Sequence, residues 1–399
     1  MTKKFIENFR MDCIEILNLM ELIAGEKSFL IPDEKLEELT NDWLDYKEEI
    51  SDNYSYRYIT EKLSKFLQDL KVKKEKDKAP IIDAFFKEFN RELCQNKLTY
   101  VCPQFIENLK IDEAFAVGKI EFIPYSEKNY IGIFQKPGYT TEHINLNKKV
   151  LEKVYCIAKS EVIAGDFYKA LEKSDKLIDE SLNVIRLFES YPNYGILGKY
   201  RQPRLHKVYY SIKETKQVGY SGGWNFLTRP GYLTSKVLKT IKMEKAFVNI
   251  NAIHLKNLSE RTDMENKLIL SINWFGEILK NKDTIENIIR LFTAFEILLI
   301  FDRNEAKKKN IAQRLAMINY SDKKYRILTY NLVENLYSIR SKLVHEGKTI
   351  LKEKSFFDLL RELHSCIIII ATHIDKYPTI EAWNNLIKSV QFEGKLEFQ

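Results

Sequence analysis

The chain has 399 residues, 45% of them apolar and 12% aromatic, with 63 Lys and Arg against 56 Asp and Glu. That length and apolar content suit a globular protein of two or three domains with sizeable cores and exclude a chain too polar to fold. The surplus of +7 is modest, so charge is informative only where it is concentrated.

Five cysteines, Cys13, Cys94, Cys102, Cys156 and Cys366, form no C-x-x-C pair and no Cys/His ligand spacing. Neither a metal site nor a disulfide framework is expected, and reduced thiols are. The apolar stretch after Met1-Thr2-Lys3-Lys4 is interrupted by Asp12, Glu15 and Glu21, which is unlike a signal peptide. The longest apolar runs, 291–301 and 366–371, fall short of the ~20 residues that span a bilayer. A cytoplasmic protein with no membrane partner is expected.

Residues 5–97 read as helices. Phe5, Phe9, Cys13, Ile16, Met20 and Ile23 step by three or four, as do Leu36, Leu39, Trp43, Tyr46 and Ile50, and then Ile59, Leu63, Phe66 and Leu70. The charged run Lys71 to Lys78 reads as a solvated loop. Pro80 is expected in the first turn of a helix carrying Ile82, Phe85, Phe86, Phe89 and Leu93.

The pattern changes at Tyr100. Short runs rich in aromatic and β-branched residues, Phe115-Ala116-Val117, Ile120 to Ile123, Tyr130 to Phe134 and Val154 to Ile157, are separated by Pro103, Gly118, Pro124, Pro137 and Gly138, as expected of strands. A helix with Phe167, Leu171, Ile178, Leu182 and Ile185 follows. Residues 190–232 are rich in Gly, Pro and Tyr and read as loops with a strand at Val208 to Ile212. The Gly219/Gly222/Gly223 cluster lacks the spacing and the following helix of a phosphate-binding loop, so a plain turn is expected.

From Ser235 onward the pattern is helical again. Met264, Leu268, Ser271, Phe275 and Leu279 share one face, and Ile285, Ile289, Phe292 and Leu299 another. A short helix is expected over 305–318 and a longer one from Asp322 with Leu328, Leu332, Leu336, Ile339 and Leu343. Ser355-x-x-Asp358 reads as a capping box opening a helix with Leu359, Leu360, Leu363, Ile367 and Ile370. The fold class is therefore α+β, mainly α. Its parts are an N-terminal helical region (1–98), a strand-containing α+β region (99–233) and a C-terminal antiparallel helical bundle (234–399).

Arg340-Ser341-Lys342-Leu343-Val344-His345, just before Gly347, joins a permanent cation to the side chain that titrates near neutrality. On a helical wheel with Leu336 at zero, Arg340 lies at ~40°, Ser341 at ~140° and His345 at ~180°. The arginine and histidine therefore do not share a face. Either the last turn unwinds before Gly347, or a second subunit completes the site. Ser341 is placed to orient the His345 ring. An ordinary explanation also exists, a structural ion pair for Arg340 and a helix-end role for His345.

The surrounding charge favours a functional role. Residues 303–354 hold thirteen Lys and Arg, among them Lys307, Lys308, Lys309, Arg314, Lys323, Lys324, Lys342 and Lys348, against five Asp and Glu. That excess of +8 accounts for the whole surplus of the chain, and a polyanion is its natural partner. Glu296 borders an apolar face where an unpaired carboxylate is costly. It is expected either to orient Arg340 or to pair structurally, for instance with Arg314.

Four stretches resemble the HEPN domains, most closely the Apea-like HEPN group of bacterial defence proteins. They are Asn273-Trp274-Phe275-Gly276-Glu277, Ala294-Phe295-Glu296-Ile297-Leu298, Gln313-Arg314-Leu315-Ala316 and Ile339 to Gly347. The resemblance covers residues 260–395, with a looser likeness upstream between Cys102-Pro103 and Ile123-Pro124. Phe295 stands where leucine is usual, and Ser341 where Asn, Asp or His is frequent.

The resemblance implies an endoribonuclease needing no metal or other cofactor, its active site formed between two copies of the R-x4–6-H motif in a homodimer. Arg340 and His345 would be catalytic, Glu296, Ser341 and Arg314 supporting, and Lys342, Lys348, Lys323, Lys324, Lys307, Lys308 and Lys309 would grip the RNA backbone. A toxin-like or antiphage effector, with an antitoxin or a phage-derived trigger as partner, is the expected setting. The alternatives are a non-catalytic HEPN module that binds RNA, a nucleotide or a partner protein, and a helical interaction protein without a nucleic-acid role.

Overall fold

The computed structural model describes residues 3–23, 33–46, 48–73, 75–95, 97–107, 109–126, 129, 156–189, 204–206, 209–212, 218–220, 231–233, 235–280, 284–347, 351–394 and 396. The chain is mainly helical, with short and chiefly antiparallel strand pairs. It divides into two compact units, each built from separated stretches. The first takes Met1–Pro103, Ser160–Lys176 and Val208–Ser221; the second takes Gln104–Lys159, Leu177–Lys207 and Gly222–Gln399. The strand-containing stretch is thus shared between the two and does not stand as a third body.

The first unit opens with five helices, α1 (Lys3–Ile23), α2 (Asp33–Tyr46), α3 (Glu48–Asn53), α4 (Tyr56–Lys71) and α5 (Glu75–Gln95). Their spaced apolar residues form one core of Phe9, Cys13, Trp43, Leu63, Phe86 and Phe89, in which Trp43 meets Phe89 at 5.0 Å and Phe66 stacks on Phe85 at 3.8 Å. Two expectations are corrected here. The run Lys71 to Lys78 is mostly helical, because α4 ends at Lys71 and α5 begins at Glu75, with Lys78 buried. Pro80 consequently lies inside α5. As the sixth residue of α5 it removes one helical bond, the one its own N–H would have made to the carbonyl four residues earlier.

Asp166 ties two helix starts together within this unit. Its carboxylate accepts from Ser55 N at 2.6 Å and Ser55 Oγ at 2.9 Å, and from Tyr168 N and Lys169 N at the start of α6 (Phe167–Glu189). Ser55 Oγ in turn accepts from Tyr58 N as the N-cap of α4. One buried side chain thus satisfies donors that helix starts leave orphaned. Strand β1 (Leu98–Glu107) pairs here through Tyr100 and Val101 with β7 (Tyr209–Ile212), which pairs with β8 (Val218–Tyr220).

In the second unit β3 (Phe115–Val117), β4 (Ile120–Pro124) and the start of β5 (Cys156–Ala164) form an antiparallel run. The end of β1 pairs with β6 (Arg204–His206), and β2 (Leu109–Ile111) runs parallel to β9 (Gly231–Leu233). The expected strands over Phe115 to Val117 and Ile120 to Ile123 are present. Those at Tyr130 to Phe134, and the glycines Gly222 and Gly223, lie outside the described residues.

The helices of this unit are α7 (Ser235–Met243), α8 (Lys245–Leu255), α9 (Asp263–Lys280), α10 (Thr284–Leu299), α11 (Lys307–Asn319), α12 (Lys323–Glu346), α13 (Glu353–His373) and α14 (Ile380–Glu393). They share one core with the second half of α6. A capping box that the sequence reading missed opens α9, with Thr262 Oγ accepting from Glu265 N and the Glu265 carboxylate accepting from Thr262 N. The expected box at Ser355 is absent. Helix α13 already begins at Glu353, and Asp358 pairs instead with Arg361. Ile285 is 45% exposed, because the buried face of α10 is Ile288, Leu291, Phe292, Phe295 and Leu298.

A buried polar network fixes α6 to α9. Arg186, fully buried, reaches Asp179 at 3.3 Å and hydrogen-bonds Asn183 Oδ1, while Asn183 Nδ2 donates to Asn273 Oδ1 at 3.1 Å. Lys280 completes it on Asp179 at 2.8 Å. A Cβ on Gly276 would stand 1.9 Å from Asn183 Oδ1, so the helices approach where only glycine fits.

Candidate active site

Helix α12 carries the Arg340/His345 pair, and its ends are defined locally. Asp322 accepts from Lys324 N at 2.6 Å as N-cap, and Gly347, in the left-handed conformation at φ 68°, donates to Leu343 O. The helix remains regular through Glu346. Of the two routes left open by the sequence, unwinding of the last turn is therefore absent. Arg340 and His345 leave α12 ~140° apart around its axis.

The buried face of α12 differs from the leucine stripe read in the sequence. Leu328 is 56% exposed, and the buried residues are Thr329, Val333 and Leu336. On the same wheel these lie at ~20°, ~60° and 0°, so Arg340 at ~40° sits in the middle of the buried face. A guanidinium placed there needs a partner, and Glu296 of α10 supplies it.

Glu296 is the hub of the cluster. Its Oε1 lies 3.7 Å from Arg340 Nη2 and accepts from the Tyr337 hydroxyl at 3.4 Å; its Oε2 accepts from Lys307 Nζ at 2.7 Å. Tyr337 packs its ring edge-on to Phe292 at 5.0 Å and lies under the Arg340 guanidinium at 5.6 Å. Burial, followed by the Glu296 charge, pushes the Tyr337 phenol up, and the Glu296 hydrogen bond holds the Lys307 ammonium above its ordinary value. Arg340 Nε is buried and makes no hydrogen bond among the described residues. Two cations thus share one carboxylate, leaving the cluster net positive.

The end of α10 that presents Glu296 is itself held by cations. Lys267 donates to Ile297 O and Ile300 O at 2.8 and 2.9 Å, and Arg314 to Leu299 O at 2.5 Å. These satisfy carbonyls that the helix end leaves free and complement the negative end of its dipole. Arg314 does not pair with Glu296, which corrects that expectation. Its guanidinium makes two bonds to Glu305, at 2.6 and 2.8 Å, and lies 4.3 Å from the Phe301 ring. Burial alone would raise the Glu305 pKa, but the Arg314 hydrogen bonds hold it below the usual carboxylate range.

Helix α11 begins Lys307-Lys308-Lys309 with no acidic residue in its first turn and no side-chain cap. Cations at a helix N-terminus oppose the dipole, so this start concentrates positive potential beside Arg340. Lys308 approaches Ser338 Oγ at 3.4 Å and Glu334 at 3.8 Å. Lys309, Lys323, Lys324 and Lys342 are exposed and make no ion pair among the described residues, which leaves them available to an external anion. Lys348 lies outside the described residues. His345 is exposed and Ser341 half-buried, and no hydrogen bond joins them among the described residues.

Sequence reasoning singled out Glu296 and Arg340 but not Tyr337, whose signal was its place three residues before Arg340 on one helix. Among the described residues no group of three His, Cys, Asp or Glu is placed to hold a metal ion, and no helix is long and apolar enough to cross a membrane. No protein-family model matches the chain, and neither does any curated protein or solved structure compared with it.

Proposed function

We propose that this protein is an endoribonuclease of the HEPN type, with the second unit's helices as its HEPN bundle and Arg340 and His345 as its catalytic pair. The supporting observation is Arg340. It is a mostly buried guanidinium beside Glu296, at the helix end that carries an exposed histidine, within the most basic segment of the chain. His345 would take the proton of a ribose 2′-hydroxyl as that oxygen attacks phosphorus and return one to the departing 5′-oxygen. Arg340 would hold the phosphorane oxygens by two N–H donors. The products are a 2′,3′-cyclic phosphate and a 5′-hydroxyl, and no step requires a metal. A homodimer would bring two motifs together, and an antiphage or toxin-like role, gated by an antitoxin or a phage-derived trigger, is the biological setting proposed.

Purified protein incubated with total RNA and tRNA in EDTA should cut, leaving those ends, and Arg340→Ala and His345→Ala should each abolish cutting. Full activity after either substitution overturns the assignment. A second reading, a non-catalytic HEPN module that binds RNA, a nucleotide or a partner protein, draws on Arg340 being already matched by Glu296 while His345 points elsewhere. Salt-dependent RNA binding without cleavage under any trigger would favour it.

A further inference from the structure

At the N-terminal end of α12, ~22 Å along the helix from Arg340 at 1.5 Å per residue, two tyrosines stack against each other. The Tyr320 and Tyr325 rings lie 5.5 Å apart at 24°. Tyr320 is the anchored member. Its hydroxyl donates to Glu362 at 2.7 Å, its carbonyl accepts from Arg326 Nε at 2.6 Å, and Asn319 Nδ2 holds the same Glu362 carboxylate at 2.7 Å. Tyr325 is the outer member, and it is 51% exposed.

Such a pair is preorganised. The inner ring is held through its hydroxyl by Glu362, which Asn319 fixes in turn, so the ring that stacks on it starts from a supported position. Lys323 and Lys324 precede it in the first turn of α12, exposed and without an ion pair among the described residues, and Arg361, 71% exposed and paired with Asp358, lies on α13. From there toward His345 the exposed positions of α12 include Asn331, Asn335 and Lys342. This face carries hydrogen-bonding groups and cations, and its one carboxylate near Ser338, Glu334, is approached by Lys308.

We propose that the Tyr320–Tyr325 stack is a base-stacking platform for single-stranded RNA, with the half-exposed Tyr325 offering its ring to a base and the preceding Lys323 and Lys324 meeting the phosphates of that strand. The chemistry selects this occupant. An aromatic face beside lysines suits a polyanion whose bases are free to stack, and a duplex keeps its bases covered. The strand would wind along α12 toward His345, which lies ~30 Å further on and ~160° round the helix axis, a path of at least about nine nucleotides at the ~3.4 Å spacing of a stacked strand. The proposal rests on the chain being an RNA-binding protein, and it assigns the substrate class as single-stranded.

The test uses the full chain in a His345→Ala background, so that cutting cannot interfere, and fluorescence anisotropy with a labelled 12-nucleotide RNA or its duplex. Tyr325→Ala should weaken single-strand binding about tenfold, since one stacked base is worth 1–3 kcal/mol and 1.4 kcal/mol is a factor of ten. Tyr325→Phe should bind like the parent, and neither substitution should alter duplex binding. Lys323→Ala with Lys324→Ala should weaken both RNAs and flatten the salt dependence. Equal affinity of parent and Tyr325→Ala for the single strand overturns the platform. So does a Tyr325→Ala protein whose mass by light scattering falls while RNA affinity is unchanged, which would assign the surface to self-association. The two readings separate cleanly. Wild type that binds single strands through Tyr325 but never cuts keeps the platform and removes the nuclease, whereas cutting with KM indifferent to Tyr325→Ala does the reverse.

Discussion

The Glu296 cluster makes an asymmetric prediction about stability. Glu296 is 18% exposed and Arg340 24% exposed, with 3.7 Å between their charged atoms. At an effective dielectric of about 20, Coulomb's law gives such a pair about 4 kcal/mol. Water reaching both groups and the second cation on Glu296 reduce that to a coupling of about 1 kcal/mol. The two partners are not equally dependent. Removing Arg340 leaves Glu296 still bonded to Lys307 at 2.7 Å, whereas removing the Glu296 charge leaves two cations facing each other with no carboxylate between them. Glu296→Gln should therefore cost about 2–3 kcal/mol and Arg340→Met no more than about 1. Urea unfolding of the two single variants and the double variant measures both costs and their coupling. Strict additivity, or a larger loss for Arg340→Met than for Glu296→Gln, would show that Glu296 does not hold the guanidinium as described.

Other sites give sharper local tests. Gly276→Ala would drive a Cβ against Asn183, whose side chain cannot retreat without releasing Arg186 and Asn273, so thermal unfolding should show a loss of about 1–3 kcal/mol. Gly347→Ala meets nothing within 4 Å, and its cost of about 1 kcal/mol would come from the left-handed backbone alone. Asp179 is held below its ordinary value of 3.8 by Arg186 and Lys280, against the opposing effect of burial. Its stabilisation is present above that value and is lost as pH falls through the lowered one. Wild type should therefore lose stability relative to Asp179→Asn across that acid window when urea midpoints are compared. Burial pushes the Cys102 thiol up to about 12 and raises Cys13, Cys156 and Cys366 as well, so these four should resist a thiol reagent in the native protein and react after unfolding.

Much of the second unit's helical order was legible because its signals are local. The start of α12 is written in Asp322 and its end in Gly347; α6 and α9 follow from three- and four-residue apolar steps. The buried face of α12 was not legible, because Leu328 looks like core and Thr329 does not, and only the packing neighbours decide between them. The same is true of Glu296. Its unusual place beside Phe292 and Leu299 could be read from the chain, but the choice of Lys307 and Arg340 over Arg314 depends on where α11 begins, since Lys307 stands in its first turn while Arg314 lies two turns further and meets Glu305. Ser355-x-x-Asp358 fits a capping box, yet the helix starts two residues earlier, so a motif match without its structural context misled. The interleaving of 160–176 and 208–221 with the first unit rests on contacts distant in sequence, which periodicity does not encode.

The geometry of α12 bears directly on how a nuclease site could be assembled. A helix that frayed at Leu343 could swing His345 toward Arg340, but the Gly347 cap satisfies Leu343 O and the helix is regular to Glu346. With the two side chains ~140° apart on one axis, no rotamer change closes the gap while the helix persists. On the ribonuclease reading the histidine that serves a given arginine therefore belongs to another chain, and a mixture of defective proteins becomes informative. Arg340→Ala and His345→Ala are each expected to be inactive alone. Co-expressed, they should yield a mixed assembly holding one arginine and one histidine across the interface, with activity well above either variant. Co-expressed protein no more active than the two variants assayed separately would refute a site shared between chains, and full activity of wild type at dilutions where light scattering finds only monomer would refute it independently.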